Sequence, residues 1–353
     1  MMTSLRSTVS LCLFLASAQH VRTPVGFHHP SCIHGVPSGT FVHVLPPGSP
    51  LGAAGSARVR YLNGSSEIVA PCAHPRGAAP RGVPPPASAP SAPPLWKHWP
   101  QHWWLGLSWA HFTQPPLPLN ASIFSINATW RVPPLPLIRS GNASDPWFQA
   151  PPTESWWVGL QGGAVLQPVL ELNGLMPGAY DGVSWACCAA GMAWYSFPLV
   201  ALPGEEIVGD IVRVSGAEVG AEGEPYVYVT LTGVRSAARG YEETRLYSAM
   251  DAAGPGWEPT WAEVVQESYF VTDCRNLPCG GAGAFADVRV ATAPAGRPFN
   301  ETRPTIVDAV PWSATYEIEG AAAPRHPVCN GSAAFDDTME TAAVSFDCRA
   351  PAA

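Results

Sequence analysis

Apolar and polar residues alternate along much of the chain after residue 98. The longest run covers residues 124–132, where nine residues alternate before the chain reaches Pro133 and Pro134. Because successive side chains of a strand point to opposite faces of a sheet, a period of two predicts a β-strand. Shorter runs with the same period predict five further strands, at Val165–Leu172, Tyr226–Thr232, Ala262–Val271, Ala286–Val290 and Ala343–Phe346.

Glycine and proline separate these runs, and no sustained helical period or internal repeat accompanies them. Pairs such as Pro203-Gly204 and Gly280-Gly281 are typical of turns between strands. We therefore expect residues 98–350 to form one all-β domain. The predicted architecture is an antiparallel β-sandwich of the concanavalin A or lectin-like jelly-roll type.

Residues 19–97, which precede this domain, have an irregular pattern with scattered proline, glycine and histidine. One short alternating run, Ala57–Tyr61, predicts a strand there. Residues 75–94 are rich in proline, alanine and serine, a composition typical of an extended linker. The segment 19–97 is expected to be an irregular pro-region or a spacer.

The first 18 residues predict a signal peptide. Arg6 precedes an apolar run that ends in Ala16-Ser17-Ala18, which suits cleavage before Gln19. Six Asn-x-Ser/Thr sequons agree with export: Asn63, Asn120, Asn127, Asn142, Asn300 and Asn330. No later apolar run reaches the roughly 18 residues needed to span a bilayer. We expect a glycoprotein that is secreted or resides in an acidic endomembrane compartment.

Eight cysteines remain after the signal peptide, an even number that suits disulfides in an oxidising compartment. Spacing along the chain favours two local disulfides, Cys274 with Cys279 and Cys329 with Cys348. The adjacent Cys187 and Cys188 are each expected to pair elsewhere, with Cys32 and Cys72 as candidate partners. A zinc cluster is not expected, because no second close cysteine pair and no nearby histidine accompany them.

The charged residues exclude several classes of function. The formal net charge is −8 and the only lysine is Lys97, so no basic stripe is available to bind nucleic acid. Every histidine but one lies before residue 112. Serine and cysteine hydrolases usually need a histidine or lysine base, and catalytic zinc sites usually need histidine ligands. We expect no metal and no cofactor, and chemistry that rests on carboxylates, amides, hydroxyls or thiols.

Two of the predicted strands carry polar residues four positions apart on one face. Gln167 and Glu171 share a face of the first strand, and Glu263 and Glu267 share a face of the second. If both faces line the same sheet, an amide and three carboxylates converge in a groove. The alternative is that these residues form the solvated face of a sheet, and spacing alone does not decide between the two.

Several segments of the domain occur in a characteristic order. Residues 156–167 read Trp-Trp-Val-Gly-Leu-Gln-Gly-Gly-Ala-Val-Leu-Gln, and residues 262–267 read Ala-Glu-Val-Val-Gln-Glu. The second segment is followed by a short cysteine loop and by Ala-Phe-Ala at 284–286. Weaker matches lie at 128–133, 193–195, 203–207 and between Cys329 and Cys348. This ordered set resembles the glutamic peptidases, or eqolisins, over roughly 250 residues.

The resemblance implies a secreted endopeptidase that hydrolyses polypeptides in acid, without a cofactor and as a monomer. Glu263 corresponds to the family's general acid/base, and Gln167 to the amide that orients water and stabilises the oxyanion. Further candidates for the substrate groove or for support of the pair are Trp157, Gln161, Glu171, Trp194, Tyr195 and Glu267. The sequence departs from the family at Gln161 and Glu171, where the family has aspartates.

Two other functions fit the same residues. A catalytically inactive, lectin-like sandwich would use aromatic residues such as Trp194 and Tyr195 to bind glycans or cell-surface partners. A glycosidase would need two carboxyl groups about 5–10 Å apart across one bond. Glu263 with Glu267 or Glu171 would supply them, although the order of glutamine and glutamate fits the peptidase better.

Overall fold

The computed structural model describes residues 21–23, 26–46, 48–72, 107–113, 121–139, 152–162, 164–221, 224–249, 259–269, 271, 273–278, 284–294, 304–307, 312–319, 329, 332–338 and 340–345. The predicted signal peptide and the Pro-rich linker lie outside the described residues.

The described residues form 22 strands. In chain order these are β1 (Val21–Thr23), β2 (Gly26–His28), β3 (Ile33–Val36), β4 (Thr40–Val44), β5 (Ala57–Arg60), β6 (Ser66–Val69), β7 (Leu107–Thr113), β8 (Ala121–Arg131), β9 (Thr153–Gln161), β10 (Val165–Leu172), β11 (Tyr180–Cys187), β12 (Ala193–Ser196), β13 (Leu199–Ala201), β14 (Glu206–Ser215), β15 (Tyr226–Ser236), β16 (Gly240–Ala249), β17 (Trp261–Tyr269), β18 (Ala284–Pro294), β19 (Thr305–Ile306), β20 (Ser313–Glu319), β21 (Ser332–Phe335) and β22 (Ala342–Ser345).

Helical structure in these residues comprises three short 3-10 segments, Pro30–Cys32, Ala189–Gly191 and Cys274–Asn276. No helix in the described part of the chain is long and apolar enough to cross a membrane.

The strands form two large sheets, which we call sheet 1 and sheet 2. Sheet 1 has the order β20-β7-β17-β9-β10-β11-β12-β3, with β13 also paired to β11. Sheet 2 has the order β21-β22-β18-β8-β14-β15-β16-β4-β5-β6, with β19 also paired to β18. A separate hairpin joins β1 and β2. The predicted all-β sandwich is confirmed.

The core lies between the two sheets. Sheet 1 contributes Leu166 and Leu170, and sheet 2 contributes Trp130, Ile207 and Ile211, all of them buried in one apolar cluster. In β14 the buried and partly exposed positions alternate, as expected of a strand with one face on the core. Because Leu166 and Leu170 of β10 face this core, Gln167 and Glu171 share the opposite face, as the sequence predicts.

Four strands between residues 33 and 69 belong to this sandwich, which corrects the expectation of an irregular segment for that part of residues 19–97. β3 pairs with β12 in sheet 1, and β4 pairs with β16 in sheet 2. Both pairings are parallel, so the sheets are mixed rather than purely antiparallel. Strands of three to five residues are too short to show a clear period, and only the β5 run, predicted at Ala57–Tyr61, was visible in the sequence.

The disulfides also differ from the pairings that spacing favoured. Cys274 pairs with Cys329, with 5.4 Å between their Cα atoms, instead of Cys279 and Cys348. Cys279 and Cys348 lie outside the described residues. The fold brings together the ends of segments that are 55 residues apart, which spacing along the chain does not reveal.

The remaining described cysteines form two further pairs. Cys32 is bonded to Cys72, which closes the segment that carries β3 to β6. Cys187 is bonded to its neighbour Cys188, so neither of these two pairs with Cys32 or Cys72 as expected.

Candidate functional site

The candidate site lies on three adjacent strands of sheet 1, β10, β9 and β17. Glu263 of β17 is directly opposite Gly159 of β9. On the other edge of β9, Leu166 of β10 pairs with Leu160 and Val169 pairs with Trp157. This register puts Gln167 of β10 opposite Gly159. Residues in register share a face, so Gln167 and Glu263 flank Gly159. Two strand spacings separate their backbones, or about 10 Å.

This face is turned away from the core between the sheets, yet its polar residues are buried. Gln167 is 0% exposed and Glu263 is 2% exposed. Glu171, Glu267 and Gln161 are buried in the same way. The structure therefore brings together the four polar residues predicted to share a face. The alternative, a solvated outer face, is wrong.

The side chain of Gln167 has no hydrogen-bond partner among the described residues. Both its Oε1 and its Nε2 are buried and unpaired. Buried polar atoms are nearly always paired, and leaving a donor or acceptor unpaired costs about 1–3 kcal/mol. A water or a ligand that hydrogen-bonds the amide is one explanation of such a group.

A tryptophan lies beside Gln167 and Glu263 on β9. The indole Nε1 of Trp157 donates to Oε2 of Glu267 at 3.4 Å. The far edge of the same ring lies against Gly159, because a Cβ at that position would be 2.6 Å from Cζ3 of Trp157. Only glycine at position 159 leaves room for the ring of Trp157, which lies over β9, between the strands that carry Gln167 and Glu263.

A second tryptophan, which the sequence analysis did not single out, lies on the other side of Gln167. Trp185 of β11 is directly opposite Gln167, and its Nε1 donates to Oε1 of Glu171 at 2.8 Å. Tyr195 of β12 is opposite Trp185, with 4.9 Å between the ring centroids. Two tryptophan–glutamate pairs therefore hold the aromatic rings around Gln167.

Glu171 also has a carboxyl neighbour, Asp181, directly opposite on β11. Burial raises the pKa of Asp181 well above its ordinary value, and the charge of Glu171 raises it further. Oδ2 of Asp181 accepts a hydrogen bond from the backbone N–H of Met176 at 2.9 Å. No pattern in the sequence pointed to Asp181, because β11 is buried on both faces and shows no alternation.

The other predicted groove residues divide between the two faces. Gln161 lies on the face of Gln167, opposite Val165. Trp194 does not lie on that face, because side chains alternate along β12 and the next residue, Tyr195, lies on the face of Gln167. Trp194 is buried in the core between the sheets and stacks on His34, with ring centroids 4.4 Å apart. The expectation that Trp194 borders the groove is wrong.

Sheet 1 is not free of histidine. β7 pairs with β17, and the register puts His111 opposite Val265 and Thr113 opposite Glu263. The histidine-free stretch that follows residue 112 therefore does not supply every strand of sheet 1. β7 begins before that stretch and lies beside β17, the strand that carries Glu263.

Comparison with solved structures finds a similarity of fold. A crystal structure of scytalido-glutamic peptidase with a transition state analog inhibitor is similar to 68% of this chain and 98% of that one, with 14% identity and a TM-score of 0.37. No protein-family profile matches the sequence. No curated protein matches it either.

Proposed function

We propose that this protein is a peptidase of the glutamic type, with Gln167 and Glu263 as its catalytic pair. The observation that carries the proposal is the unpaired amide of Gln167, buried on the same face as Glu263 and separated from it by the single strand position of Gly159. The ordered motifs that resemble the glutamic peptidases support it independently. The proposed substrate is a polypeptide, and the protein is proposed to be exported from the cell.

In the proposed mechanism, one water lies between the two side chains. The carboxylate of Glu263 takes a proton from this water as the oxygen attacks the scissile carbonyl, and then passes the proton to the leaving amine. The Nε2 of Gln167 donates to the developing oxyanion. An amide suits this role because it donates a hydrogen bond while remaining neutral at every pH.

The surrounding side chains make this pair effective. Trp157 and Trp185 exclude water from the two sides of Gln167, so charge develops in a medium of low dielectric. Glu267 and Glu171 fix the two indoles by accepting from their Nε1 atoms. The glutamates thereby act as positioning residues for the rings, and Gln161 and Tyr195 complete the same face.

Acid conditions suit this arrangement. Because its pKa is raised, Asp181 becomes protonated at a higher pH than an ordinary carboxyl, so in acid no second negative charge lies beside Glu171. Because Gln167 and Glu263 are buried, a polypeptide must gain access to this face before it is cleaved. An assay therefore has to include an acid incubation of the full chain before substrate is added.

The test is cleavage of a denatured protein between about pH 2 and pH 5. The wild-type chain is expected to cleave after acid incubation, and Glu263→Gln to be inactive with an unchanged circular dichroism spectrum. Glu242→Gln, on β16 of the other sheet, is the matched control and should cleave normally. Undiminished cleavage by Glu263→Gln would overturn the assignment. Glycan binding without proteolysis at any pH would favour the non-catalytic sandwich.

A further inference from the structure

The adjacent cysteines of β11 have a histidine beside them that the sequence did not place there. His28 ends β2, and its Nε2 lies 3.6 Å from Sγ of Cys188 and 4.0 Å from Sγ of Cys187. The three donor atoms all lie within 4.8 Å of one another. This is the one group of three or more such ligands that the described residues form. It corrects the expectation that these cysteines have no nearby histidine.

The distances from the imidazole nitrogen of His28 to the two sulfurs suit a tetrahedral metal ion. With bonds of about 2.3 Å to sulfur and about 2.0 Å to nitrogen, tetrahedral zinc holds its nitrogen and sulfur ligands roughly 3.5 Å apart. The separations from Nε2 of His28 to the two sulfurs are close to this value. Two thiolates and an imidazole form a soft donor set that selects zinc or copper(I) over magnesium or calcium.

The sulfurs are bonded to each other in this structure, so metal binding requires their reduction. This bond is the most accessible of the three disulfides in the described residues. Cys188 and His28 are half-buried, whereas Cys32 and Cys274 are fully buried. A reductant and then an ion can therefore reach the pair from the side of Cys188.

We propose that Cys187, Cys188 and His28 form a binding site for one soft divalent or monovalent cation, zinc(II) or copper(I), when the Cys187–Cys188 disulfide is reduced. A phosphine reductant supplies the two electrons, and its phosphorus takes an oxygen from water to become a phosphine oxide. The two protons of that water go to the sulfurs. Metal binding then displaces both thiol protons, and the ion holds two thiolates and Nε2 of His28.

Cobalt(II) is the probe for this site, because its absorption reports thiolate ligands directly. The full chain is reduced with a phosphine without oxygen and titrated with cobalt(II). Alkylation and mass analysis identify which cysteines were reduced. We expect one cobalt per chain with thiolate-to-metal charge-transfer bands in the reduced protein, and none in the oxidised protein.

Two variants isolate the ligands. The double variant Cys187→Ser/Cys188→Ser keeps every other cysteine, and we expect it to lose these bands while its circular dichroism is unchanged. His28→Gln keeps both thiolates and should weaken cobalt binding by about tenfold or more, because one of three protein ligands is lost. Equal spectra for the wild type and the double variant would overturn the proposal. So would the absence of bands in protein whose Cys187 and Cys188 are shown to be reduced.

Discussion

At the scale of single residues, the amide of Gln167 is the feature that the fold does not need. Another buried glutamine of the same sheet provides the comparison. Nε2 of Gln266 donates to Oε2 of Glu154 at 2.8 Å and to Oγ of Ser268 at 2.6 Å, on the side of the core. Gln167 has no such partners among the described residues. The Nε2 of Gln266 thus stabilises the fold, although its Oε1 has no partner among the described residues. In Gln167 neither atom has a partner there, so the whole amide costs stability and is available for a substrate or a water.

This difference predicts opposite effects for the same substitution. Gln167→Met removes an unpaired buried amide, so it should raise the free energy of unfolding by about 1–3 kcal/mol while peptidase activity is lost. Gln266→Met removes hydrogen bonds to Glu154 and Ser268, so it should lower the free energy of unfolding by about 1–3 kcal/mol. Urea unfolding at one pH measures both. A Gln167→Met variant as destabilised as Gln266→Met would show that the amide is paired in solution.

At the scale of strands, the sequence predicted those elements that have one apolar and one polar face. β10 was predicted with its bounds correct, and the predicted run at 124–132 lies largely within β8. β9 and β11 are buried at every position, so their sequences show no alternation. In β14 the inward positions include Gly209 and Arg213, which interrupt the apolar pattern.

The same physical reasons limited the prediction of the site. The phases of β10 and β17 put Gln167 and Glu263 on polar faces, and the resemblance gave their roles. Trp185 and Asp181 were missed because β11 has no period from which to read a face. Trp194 was assigned to the groove because sequence alone does not tell which of two adjacent aromatic residues faces the core.

The N-terminal strands give a prediction at this scale. β3 and β4 pair with strands of both sheets, and Val42, Val44 and Val59 belong to the shared core. If a protease site is inserted in the Pro-rich segment at 75–94 and cut, the two fragments should remain together in gel filtration and separate only in denaturant. The disulfide Cys32–Cys72 lies within one fragment, so it does not join them. Separation without denaturant would contradict the fold.

At the scale of the whole molecule, both sheets carry a carboxyl group whose pKa is raised by burial. Asp181 in sheet 1 is fully buried, and Asp210 of β14 in sheet 2 is partly buried. Burial raises the pKa of Asp210 from 3.8 to about 6, although Arg245 acts in the opposite direction. A raised pKa means that the folded state binds the proton more tightly than the unfolded chain does. These groups therefore favour folding in acid.

The predicted pH dependence follows from Asp210. Its contribution is fully present below pH 3.8 and is lost as the pH rises through about 6. Asp210→Asn lacks this titration, so the wild type should lose up to about 3 kcal/mol more than the variant between pH 4 and pH 7. Urea unfolding of both proteins at the two pH values measures this. Equal losses would mean that Asp210 titrates normally in the folded protein.

The central claim is that Gln167 and Glu263 act on one water as a unit, and a double-mutant cycle tests it most directly. The measurement is kcat/KM for an internally quenched peptide at about pH 4, for the wild type, Gln167→Met, Glu263→Gln and the double variant. Residues that act as a unit have strongly non-additive effects. We predict that the double variant is no slower than Glu263→Gln alone. The account would be contradicted if the losses of kcat/KM in the two single variants multiply in the double variant. Wild-type activity in Glu263→Gln would contradict it as well.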